Sequence, residues 1–514
     1  MVLVSQVKPK TYYDSVRLMR ASEAVSNLGG VSQAIIAMGT DANKRVLAEV
    51  GLLVEGVESA GPNDLMIVVE AGSAETARGA LAQADIVLTQ TNRAVTPDQV
   101  EVRPPTLELA HQSLANANLV IVSTAGQYAH LEAARALQAG LHVFLFSDNV
   151  TLAEELELKQ LAAARGRLVM GPGCGTSIIN GVALAFANVV RRGPIGLVAA
   201  SGTGLQEATC LLDRGGIGIS QAIGVGGRDM SKTINGLMTR QALAMLAADP
   251  KTRVIVLISK PPSPEVTEGI LEAAQATHKP VVVNFLGSKQ SGQVGPITFT
   301  TTLEETAEVA LNRAGVEDQP RFKIPEQMLE QWIAAERERL GSDQRYLRGL
   351  FSGGSLCDEA MDILTGRLPA IYSNIPLRPE WGLADAWQSR EHSCVDMGDE
   401  EFTRGRPHPM IDPRLRQERI LKEVDDPGVA VILMDVVIGY GSHPNPAGAL
   451  AETIRAAKTR AAEQGRYLAV VAHVCGTDQD PQNLKQQETL LREAGVLVLP
   501  TNAQAARAAA AIVS

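Results

Sequence analysis

The 514-residue sequence predicts an α/β protein built from three doubly wound parallel-sheet domains. Short aliphatic runs alternate with helical patterns along almost the whole chain, which is the order that produces parallel sheets covered by helices. Hydrophobic residues make up 45% of the chain but aromatic residues only 4%, as expected when the buried strands are aliphatic. A glycine-rich turn between a strand and a helix occurs twice, which indicates that one domain is duplicated.

The first domain is predicted over residues 1–165. Its strands are expected at short apolar runs, namely 31–38, 64–70, 118–124 and 141–147. Residues 93–108 are polar and contain prolines, so we interpret them as an excursion within this domain.

The second and third domains are predicted over residues 166–320 and 345–514, with a charged linker at 321–344. Both domains begin with the glycine-rich turn. Each then has a short strand that ends in glycine, a buried strand with a polar exit that contains proline, and a further strand that ends in glycine. Because the order agrees element by element, we expect the two domains to share one topology.

The duplicated turn is the first candidate site. The chain reads IGLVAASGTGLQEA at 195–208 and LRGLFSGGSLCDEA at 347–360. Small residues allow a tight turn, and the first N–H groups of the following helix are then free to bind an anion. An ordinary turn whose glycines only permit the bend is the alternative, but two copies favour a paired phosphate or carboxylate site. Its predicted residues are Ser201, Gly202, Thr203, Gly204, Ser352, Gly353, Gly354 and Ser355.

Other polar residues lie at predicted strand exits, where ligands bind in open parallel sheets. Gly227 and Arg228 are candidate substrate contacts, although Arg228 and Asp229 could instead form a local ion pair. Asp435 follows a buried strand and is a further candidate, which could orient a ligand or cap an element. Cys174 lies in a tight turn, where a small buried thiol that packs is favoured over a nucleophile.

A loop with two arginines and a histidine is the candidate catalytic segment. Arg404, Arg406 and His408 occur within five residues, and prolines flank the histidine. Guanidinium groups bind carboxylate or phosphate bidentately, and a histidine can donate to an oxyanion or shuttle a proton. The alternative is a solvated turn. His443 and His473 are interpreted as surface or hydrogen-bonded structural residues.

Composition narrows the class of partner. The formal net charge of −10 argues against nucleic acid and anionic membranes as partners and favours small anionic molecules bound locally. No apolar run reaches the roughly 18 residues of a membrane span, and no secretory signal is recognised, so we expect a cytoplasmic protein. Five scattered cysteines and eight histidines form no metal-binding spacing, so no metal is expected.

The motifs GPGCGT, GLVAASGTGLQEA, AIGVGGRD and KPVVVNFLG together resemble the α subunit of succinyl-CoA synthetase. The third domain resembles the CoA-ligase domain of its β subunit, and the wider set SDNVTL, SKPP, GRPHPMIDP and LMDVVIGYG is similar to FdrA, a fused family of this superfamily. The resemblance implies a Rossmann-like domain of the CoA-binding type, followed by two flavodoxin-like domains of the CoA-ligase type. It also implies further subunits or a homo-oligomer.

The sequence departs from that superfamily at its phosphate carrier. The loop at 286–302, where succinyl-CoA synthetases carry a phosphorylated histidine, contains none, and His278 lies at the other end of the sheet. No segment is long enough for an ATP-grasp domain, and the first strand lacks the usual glycine turn. We therefore expect no required cofactor, and these departures argue against both ATP and CoA.

The resemblance to FdrA implies an enzyme of purine ureide (allantoin) breakdown. Such a carbamoyltransferase subunit would interconvert oxalurate and phosphate with oxamate and carbamoyl phosphate. Two alternatives of other classes stay open. One is an acyl-CoA synthetase subunit whose partner supplies the nucleotide site, and the other is a non-catalytic scaffold that binds an anion.

Overall fold

The computed structural model describes residues 2–13, 15–49, 51–89, 104–114, 116–316, 322, 324–404 and 406–514. The chain forms two compact units, one of Met1–Pro104 with Phe402–Pro407 and one of Pro105–Glu401 with His408–Ser514. Residues 93–103 of the predicted excursion, and 317–321 and 323 around the start of the predicted linker, lie outside the described residues.

The N-terminal unit contains a three-stranded antiparallel sheet. Its elements are β1 (Val2–Lys8), α1 (Ser15–Ser26), β2 (Val31–Met38), α2 (Asp41–Glu49), α3 (Glu55–Glu58), β3 (Leu65–Ala71) and α4 (Ala74–Thr89). The strand order is β1-β3-β2, and β3 is antiparallel to both neighbours. Side chains of β3 alternate between two small cores, with Ile67 and Val69 in one and Met66 and Val68 in the other.

This antiparallel sheet corrects the prediction for residues 1–165. The predicted parallel sheet is limited to the later part, where β4, β5 and β6 pair in parallel in that order. Apolar runs reveal strands but not the direction of their neighbours, which is why the sequence did not separate the two parts. The elements of the parallel part are α5 (Leu107–Ser113), β4 (Leu119–Val122), α6 (Gly126–Gln138), β5 (His142–Leu145), α7 (Leu152–Ala164) and β6 (Val169–Met170).

The second domain is built on an eight-stranded sheet of order β13-β14-β12-β11-β9-β10-β7-β8. Its five central strands are parallel, and hairpins close both edges. The elements are β7 (Thr176–Ile179), β8 (Val182–Ala185), β9 (Arg192–Ala199), α8 (Gly202–Arg214), β10 (Ile219–Gly224), α9 (Leu237–Ala248), β11 (Val254–Ser259), α10 (Pro264–Gln275), β12 (Val281–Phe285), β13 (Gly292–Val294), β14 (Ile297–Thr300) and α11 (Leu303–Arg313).

The third domain has a five-stranded parallel sheet of order β16-β15-β17-β18-β19. Its elements follow the linker helix α12 (Glu326–Arg337) and are β15 (Tyr346–Phe351), α13 (Gly354–Thr365), β16 (Ser393–Asp396), α14 (Glu400–Thr403), α15 (Arg414–Glu423), β17 (Val429–Val437), α16 (Pro446–Glu463), β18 (Ala469–Cys475), α17 (Leu484–Glu493), β19 (Leu497–Leu499) and α18 (Asn502–Val513). A 3₁₀ turn occurs at Pro379–Trp381.

The two domains share one topology. Numbered in chain order, the parallel strands of both sheets run 2-1-3-4-5, the flavodoxin-like order. The predicted α/β class with parallel-sheet domains is confirmed. The helices between the two sheets also share one apolar core, in which Leu205 and Leu211 of α8 lie in the same cluster as Leu356 and Met361 of α13. Within the described residues, no helix has both the length and the apolar character needed to cross a membrane.

Local sequence explains how several helices begin. Thr151 and Glu154 form a capping box at the start of α7, in which each side chain bonds to the other residue's backbone N–H. The hydroxyls of Thr302 and Thr501 accept from the N–H three residues ahead, and so cap α11 and α18. Both caps begin the helix that follows the last parallel strand of its domain, β14 in the second domain and β19 in the third.

A buried ion-pair network joins α7 to the exit of β10. Lys159 is fully buried, and its Nζ lies 2.8 Å from Glu155 Oε1 and 2.8 Å from Asp229 Oδ1. Asp229 also accepts from the N–H groups of Met238 and Thr239 at the start of α9. The Lys159 ammonium therefore lies between two buried carboxylates that hold two helices and a loop together, and Arg228 is a second cation at Glu155.

Lys159→Met removes this charge and should lower the free energy of unfolding by about 3–5 kcal/mol, because it leaves the buried Asp229 without its cation. Denaturant unfolding of the full chain measures the change. Lys232→Met is the control, since Lys232 pairs with Glu265 at the surface and its loss should cost less than about 1 kcal/mol. Equal effects of the two substitutions would contradict this account.

Candidate functional site

The N-termini of α8 and α13 meet, as the duplicated turns predicted. Ser201 Oγ lies 2.5 Å from Ser355 Oγ, and the Ser355 N–H donates to Thr203 Oγ1 at 3.3 Å. A Cβ on Gly353 would lie 2.9 Å from Thr203 Cγ2, so only glycine allows this approach without a shift. The predicted convergence is therefore present in the structure.

The α8 terminus is open to a ligand. The N–H groups of Gly202, Thr203 and Gly204 donate to no acceptor within the described chain. A Cβ on Gly202 would meet only Thr176 Oγ1, at 3.8 Å, so space lies next to this turn. Three unpaired donors at a helix N-terminus can bind a phosphate or carboxylate.

The two N–H groups that precede α13 are bound by the protein itself. Asp435 Oδ1 accepts from the Ser352 N–H at 2.8 Å and from its hydroxyl at 3.0 Å, and Asp435 Oδ2 accepts from the Gly353 N–H at 2.8 Å. Arg416 Nη2 lies 3.2 Å from the same carboxylate. Asp435 is therefore a cap, and its predicted role as a ligand contact is corrected. Ser352 and Gly353 cannot offer these N–H groups to phosphate while Asp435 holds them.

Strand register explains why the two termini differ. Leu350 of β15 pairs with Met434 of β17, and the equivalent Ala199 of β9 pairs with Ile258 of β11. The next residue is Asp435 in the third domain but Ser259 in the second. Ser259 is too short to act as the aspartate does, and its hydroxyl donates to the Lys260 carbonyl at 2.8 Å. The α8 terminus is therefore left without a carboxylate cap.

Asp396 lies beside the α13 terminus, and sequence reasoning did not select it. It ends β16 and is 8% exposed, with Oδ1 accepting from the Gly398 N–H at 2.9 Å. A Cβ on Gly354 would lie 2.6 Å from its Oδ2, so this oxygen lies over the first residue of α13. Burial, together with the neighbouring carboxylates, raises the pKa of Asp396 to about 7. Its position at a strand exit in the motif SCVD was the available signal.

Two carboxylates at matching positions of the helices reach into the opposite domain. Glu207 of α8 lies 2.8 Å from Nε2 of His473 in the third domain, and Asp358 of α13 lies 2.8 Å from Nζ of Lys260 in the second. His473 Nδ1 also lies 3.2 Å from the Leu499 carbonyl oxygen, so its interpretation as a hydrogen-bonded structural residue is supported. The repeated position after each glycine turn was the sequence signal for this pair.

Glu359 is a third buried acid at this interface. It accepts from the Leu303 N–H at 2.6 Å and from Asn502 Nδ2 at 2.8 Å. Burial raises the pKa of Glu359 to about 7, because these hydrogen bonds only partly offset desolvation and Glu207 and Glu304 add negative charge. The group therefore changes charge near neutral pH inside the packed interface.

His408 is partly buried, and burial together with Arg416 lowers its pKa to about 4. Its Nδ1 accepts from the Met410 N–H at 3.2 Å, which leaves the proton of the neutral ring on Nε2. The lowered pKa favours His408 as a hydrogen-bond donor over a proton shuttle near neutral pH, and its catalytic role stays a prediction. Arg404 and Arg406 belong to the segment Phe402–Pro407, which groups with the N-terminal unit. Their catalytic roles stay predictions.

Arg228 forms a local ion pair, with Glu155 rather than with Asp229, and its role as a substrate contact stays a prediction. Its Nε lies 2.8 Å from Glu155 Oε2, and its Nη2 donates to the Val150 carbonyl at 2.7 Å. Gly227 is exposed and stays a candidate only.

Burial raises the pKa of Cys174 to about 11, which agrees with a packing thiol. Among the described residues, no group of metal-binding side chains is assembled.

Three parts of the chain match known families. Residues 350–512 match CoA-ligase, residues 191–287 match a CoA binding domain, and residues 1–104 match the AllF heavy metal-associated domain. The CoA-binding match thus falls on the second domain, and the N-terminal unit matches a different family from the one expected there.

Several proteins are similar to the chain. Escherichia coli K12 YahF is 46% identical over 495 residues, which cover 96% of this chain and 95% of YahF. The succinate–CoA ligase [ADP-forming] subunit alpha-2 of Trichomonas vaginalis is 28% identical over 202 residues, covering 37% of this chain and 64% of that subunit. A solved acetyl-coenzyme A synthetase of Ca. Korarchaeum cryptofilum is 16% identical, with a TM-score of 0.34, over 81% of this chain and 87% of that one.

Valine substitutions at the two turns should separate packing from binding. Gly353→Val places a side chain against Thr203, so it should cost about 1–3 kcal/mol of unfolding free energy and also weaken phosphate binding. Gly202→Val has room, so its unfolding free energy should change by less than about 1 kcal/mol. Its side chain should still block an anion from the α8 N–H groups. Calorimetric titration with phosphate measures the affinity, and thermal unfolding measures the stability. Unchanged phosphate affinity in Gly202→Val would refute the α8 site.

Glu359→Gln should remove a pH-dependent loss of stability. The folded-state pKa of Glu359, about 7, exceeds its ordinary value of 4.5. The stabilisation that the protonated Glu359 gives to the folded state is therefore fully present below about pH 4.5. It is lost as pH rises through about 7. The glutamine stays neutral at every pH. The free energy of unfolding of the variant, relative to that of the native protein, should therefore rise by up to about 3 kcal/mol between about pH 5 and pH 8. Unfolding free energies measured across this range test it, and a difference independent of pH would contradict it.

Proposed function

Because the chain belongs to the family of Escherichia coli YahF, within the succinyl-CoA synthetase-like superfamily, we propose that it is a subunit of a carbamoyltransferase. The proposed reaction interconverts oxalurate and phosphate with oxamate and carbamoyl phosphate in allantoin catabolism. The match of residues 1–104 to the AllF domain supports this pathway. Its substrates are small anions, and further subunits or copies complete the assembly.

One observation carries the proposal. The α8 terminus offers three unpaired N–H groups to an anion, beside the α13 terminus, yet the loop at 286–302 contains no histidine. This arrangement suits chemistry in which phosphate itself attacks or leaves. It does not suit a relay through phosphohistidine, for which the loop has no acceptor.

The carbamoyl carbonyl also needs donors as negative charge builds on its oxygen. The His408 Nε2–H is one available donor, since this neutral ring uses only Nδ1 as an acceptor. Arg404 and Arg406 are the proposed partners of the substrate carboxylate, because guanidinium groups bind carboxylates bidentately.

An acyl-CoA synthetase subunit is the second candidate. The CoA-ligase and CoA-binding matches, together with the similarity to succinate–CoA ligase subunits, favour it. In this case a partner chain would supply the nucleotide site and the phosphate carrier. A non-catalytic scaffold that binds an anion would keep the α8 site but catalyse neither reaction.

A pair of assays separates these candidates. The purified chain, alone and with candidate partner subunits, is tested for phosphorolysis of oxalurate and for thioester formation from succinate, ATP and CoA. We expect carbamoyl phosphate and oxamate from the first assay and no thioester from the second. Thioester formation would favour the ligase, and phosphate binding without either activity would favour the scaffold.

Labelled ATP or carbamoyl phosphate should leave no acid-labile phosphohistidine on the chain, because residues 286–302 offer no imidazole. Acid and base stability of any protein-bound label measures this. The α subunit of a succinate–CoA ligase, labelled in parallel, is the positive control. Acid-labile label at any histidine of this chain would contradict the proposed mechanism.

Arg406→Lys keeps the charge but loses the bidentate fork. Oxalurate turnover should fall on the order of tenfold or more, since a charge-assisted hydrogen bond contributes about 1.5–3 kcal/mol. The thermal unfolding midpoint should change little. Arg492→Lys is the control, because Arg492 pairs with Glu488 on α17. Full turnover in Arg406→Lys would remove Arg406 from the mechanism.

A further inference from the structure

We propose that Asp396 is the acid–base group of the anion site. It shares a proton with a bound phosphate and, in the carbamoyl transfer, passes that proton to the leaving nitrogen. The second step rests on the proposed function, whereas the first requires only that phosphate binds at the α8 and α13 termini.

The position of Asp396 supports this role. Its Oδ1 is held by the Gly398 N–H, whereas Oδ2 has no hydrogen-bond partner among the described residues and lies over Gly354. The neighbours of Gly354 on either side are Gly353, which Thr203 of the α8 turn contacts, and Ser355, which bonds to Ser201. A carboxyl oxygen of a buried side chain thus lies beside the first residue of α13, between the two residues that contact the α8 turn.

The nearby acids are bound differently. Asp358 is paired with Lys260, and Asp435 holds two N–H groups and lies beside Arg416. Over the part of the chain that the structure describes, no basic side chain comes within ion-pair distance of Asp396. It is the acid of this group that is free to exchange a proton with a ligand.

The charges around Asp396 come from several elements. Negative charge comes from Asp399 after β16, Asp358 on α13 and Asp435 on β17, and it adds to desolvation in raising the pKa of Asp396 to about 7. Lys260 after β11 opposes this from a longer distance, since the charge of Asp396 acts on it. The remaining titratable neighbours are His408, which is neutral near pH 7, and Cys357, whose thiol pKa is raised by burial. Both forms of Asp396 are therefore populated near neutral pH, as an acid–base group requires.

The proposed step balances in atoms and charge. Oxalurate carries one negative charge and monohydrogen phosphate two. A phosphate oxygen forms a bond to the carbamoyl carbon, and the bond from that carbon to the oxamate nitrogen breaks. Asp396 Oδ2 gives the shared proton to the leaving nitrogen, and the proton that monohydrogen phosphate carries moves to Asp396 Oδ2 in its place, which gives carbamoyl phosphate with two charges and oxamate with one. No oxidant, metal or nucleotide is consumed.

Phosphate binding tests the first step without any turnover. Above about pH 8 Asp396 is ionised and free phosphate is the dianion HPO4²⁻, so a proton shared between Asp396 and a phosphate oxygen, additional to the one that HPO4²⁻ keeps, must be taken up on binding. Binding to the native chain should therefore take up about one proton, and affinity should fall about tenfold per pH unit. Asp396→Asn donates from its amide and needs no shared proton, so uptake should be near zero and affinity nearly flat with pH. Calorimetry with inorganic phosphate in two buffers of different ionisation enthalpy measures the uptake.

Two further variants serve as a control and as a second test. Asp362→Asn removes a carboxylate from the same helix, where Asp362 pairs with Lys289 at the surface, and should keep the native proton uptake. Gly354→Ala places a methyl group against Oδ2 and should disturb the proton linkage if Asp396→Asn fails to fold. In the oxalurate assay, Asp396→Asn should lower turnover about 100-fold or more, whereas Asp362→Asn should not.

The outcomes are distinguishable. Proton uptake that disappears in Asp396→Asn, together with the loss of turnover, supports both steps. Unchanged uptake in that variant, or no phosphate binding by the native chain, overturns the role of Asp396. Normal proton linkage without oxalurate phosphorolysis in any subunit combination supports the shared proton, and it overturns the transfer to nitrogen together with the proposed function.

Discussion

The direct contact between the N-termini of α8 and α13 constrains the arrangement around it. Each helix terminus carries a partial positive charge of roughly half an elementary charge, so bringing two of them together is unfavourable unless negative groups lie nearby. The structure supplies Asp435 and Asp396 at the α13 terminus, and Glu207 and Asp358 one turn along the two helices. The buried acids of this interface are therefore a physical consequence of the convergence, as well as candidates for chemistry.

The same contact explains how the two domains are joined. Glu207 and Asp358 each pair with a basic residue of the opposite domain, and Glu359 binds the first N–H of α11. These polar links cross an apolar core that continues from one sheet to the other. Because burying charges is costly unless they are paired, the links also specify one relative position of the two domains. The site between the helices thus has a fixed geometry before any ligand arrives.

The two domains share one topology but place different side chains at their helix termini. Both sheets have the same strand order, yet one register position holds Asp435 in the third domain and Ser259 in the second. The carboxylate binds the two N–H groups before α13, and the shorter hydroxyl leaves the turn before α8 without a carboxylate. In the proposed function, the α8 terminus binds phosphate, and Asp396 lies beside the α13 terminus. Two similar domains thereby contribute different parts of one site.

The sequence by itself determined the duplicated strand-turn-helix units and the parallel-sheet class. These features follow from local patterns, since aliphatic period, glycine spacing and strand order depend on neighbouring residues. Only the tertiary structure decided that residues 2–71 form an antiparallel sheet and that Asp435 is a cap. It also decided that Asp396 is left without a cation beside Gly354. The physical reason is that strand direction, burial and charge pairing depend on residues distant in sequence, which no local pattern encodes.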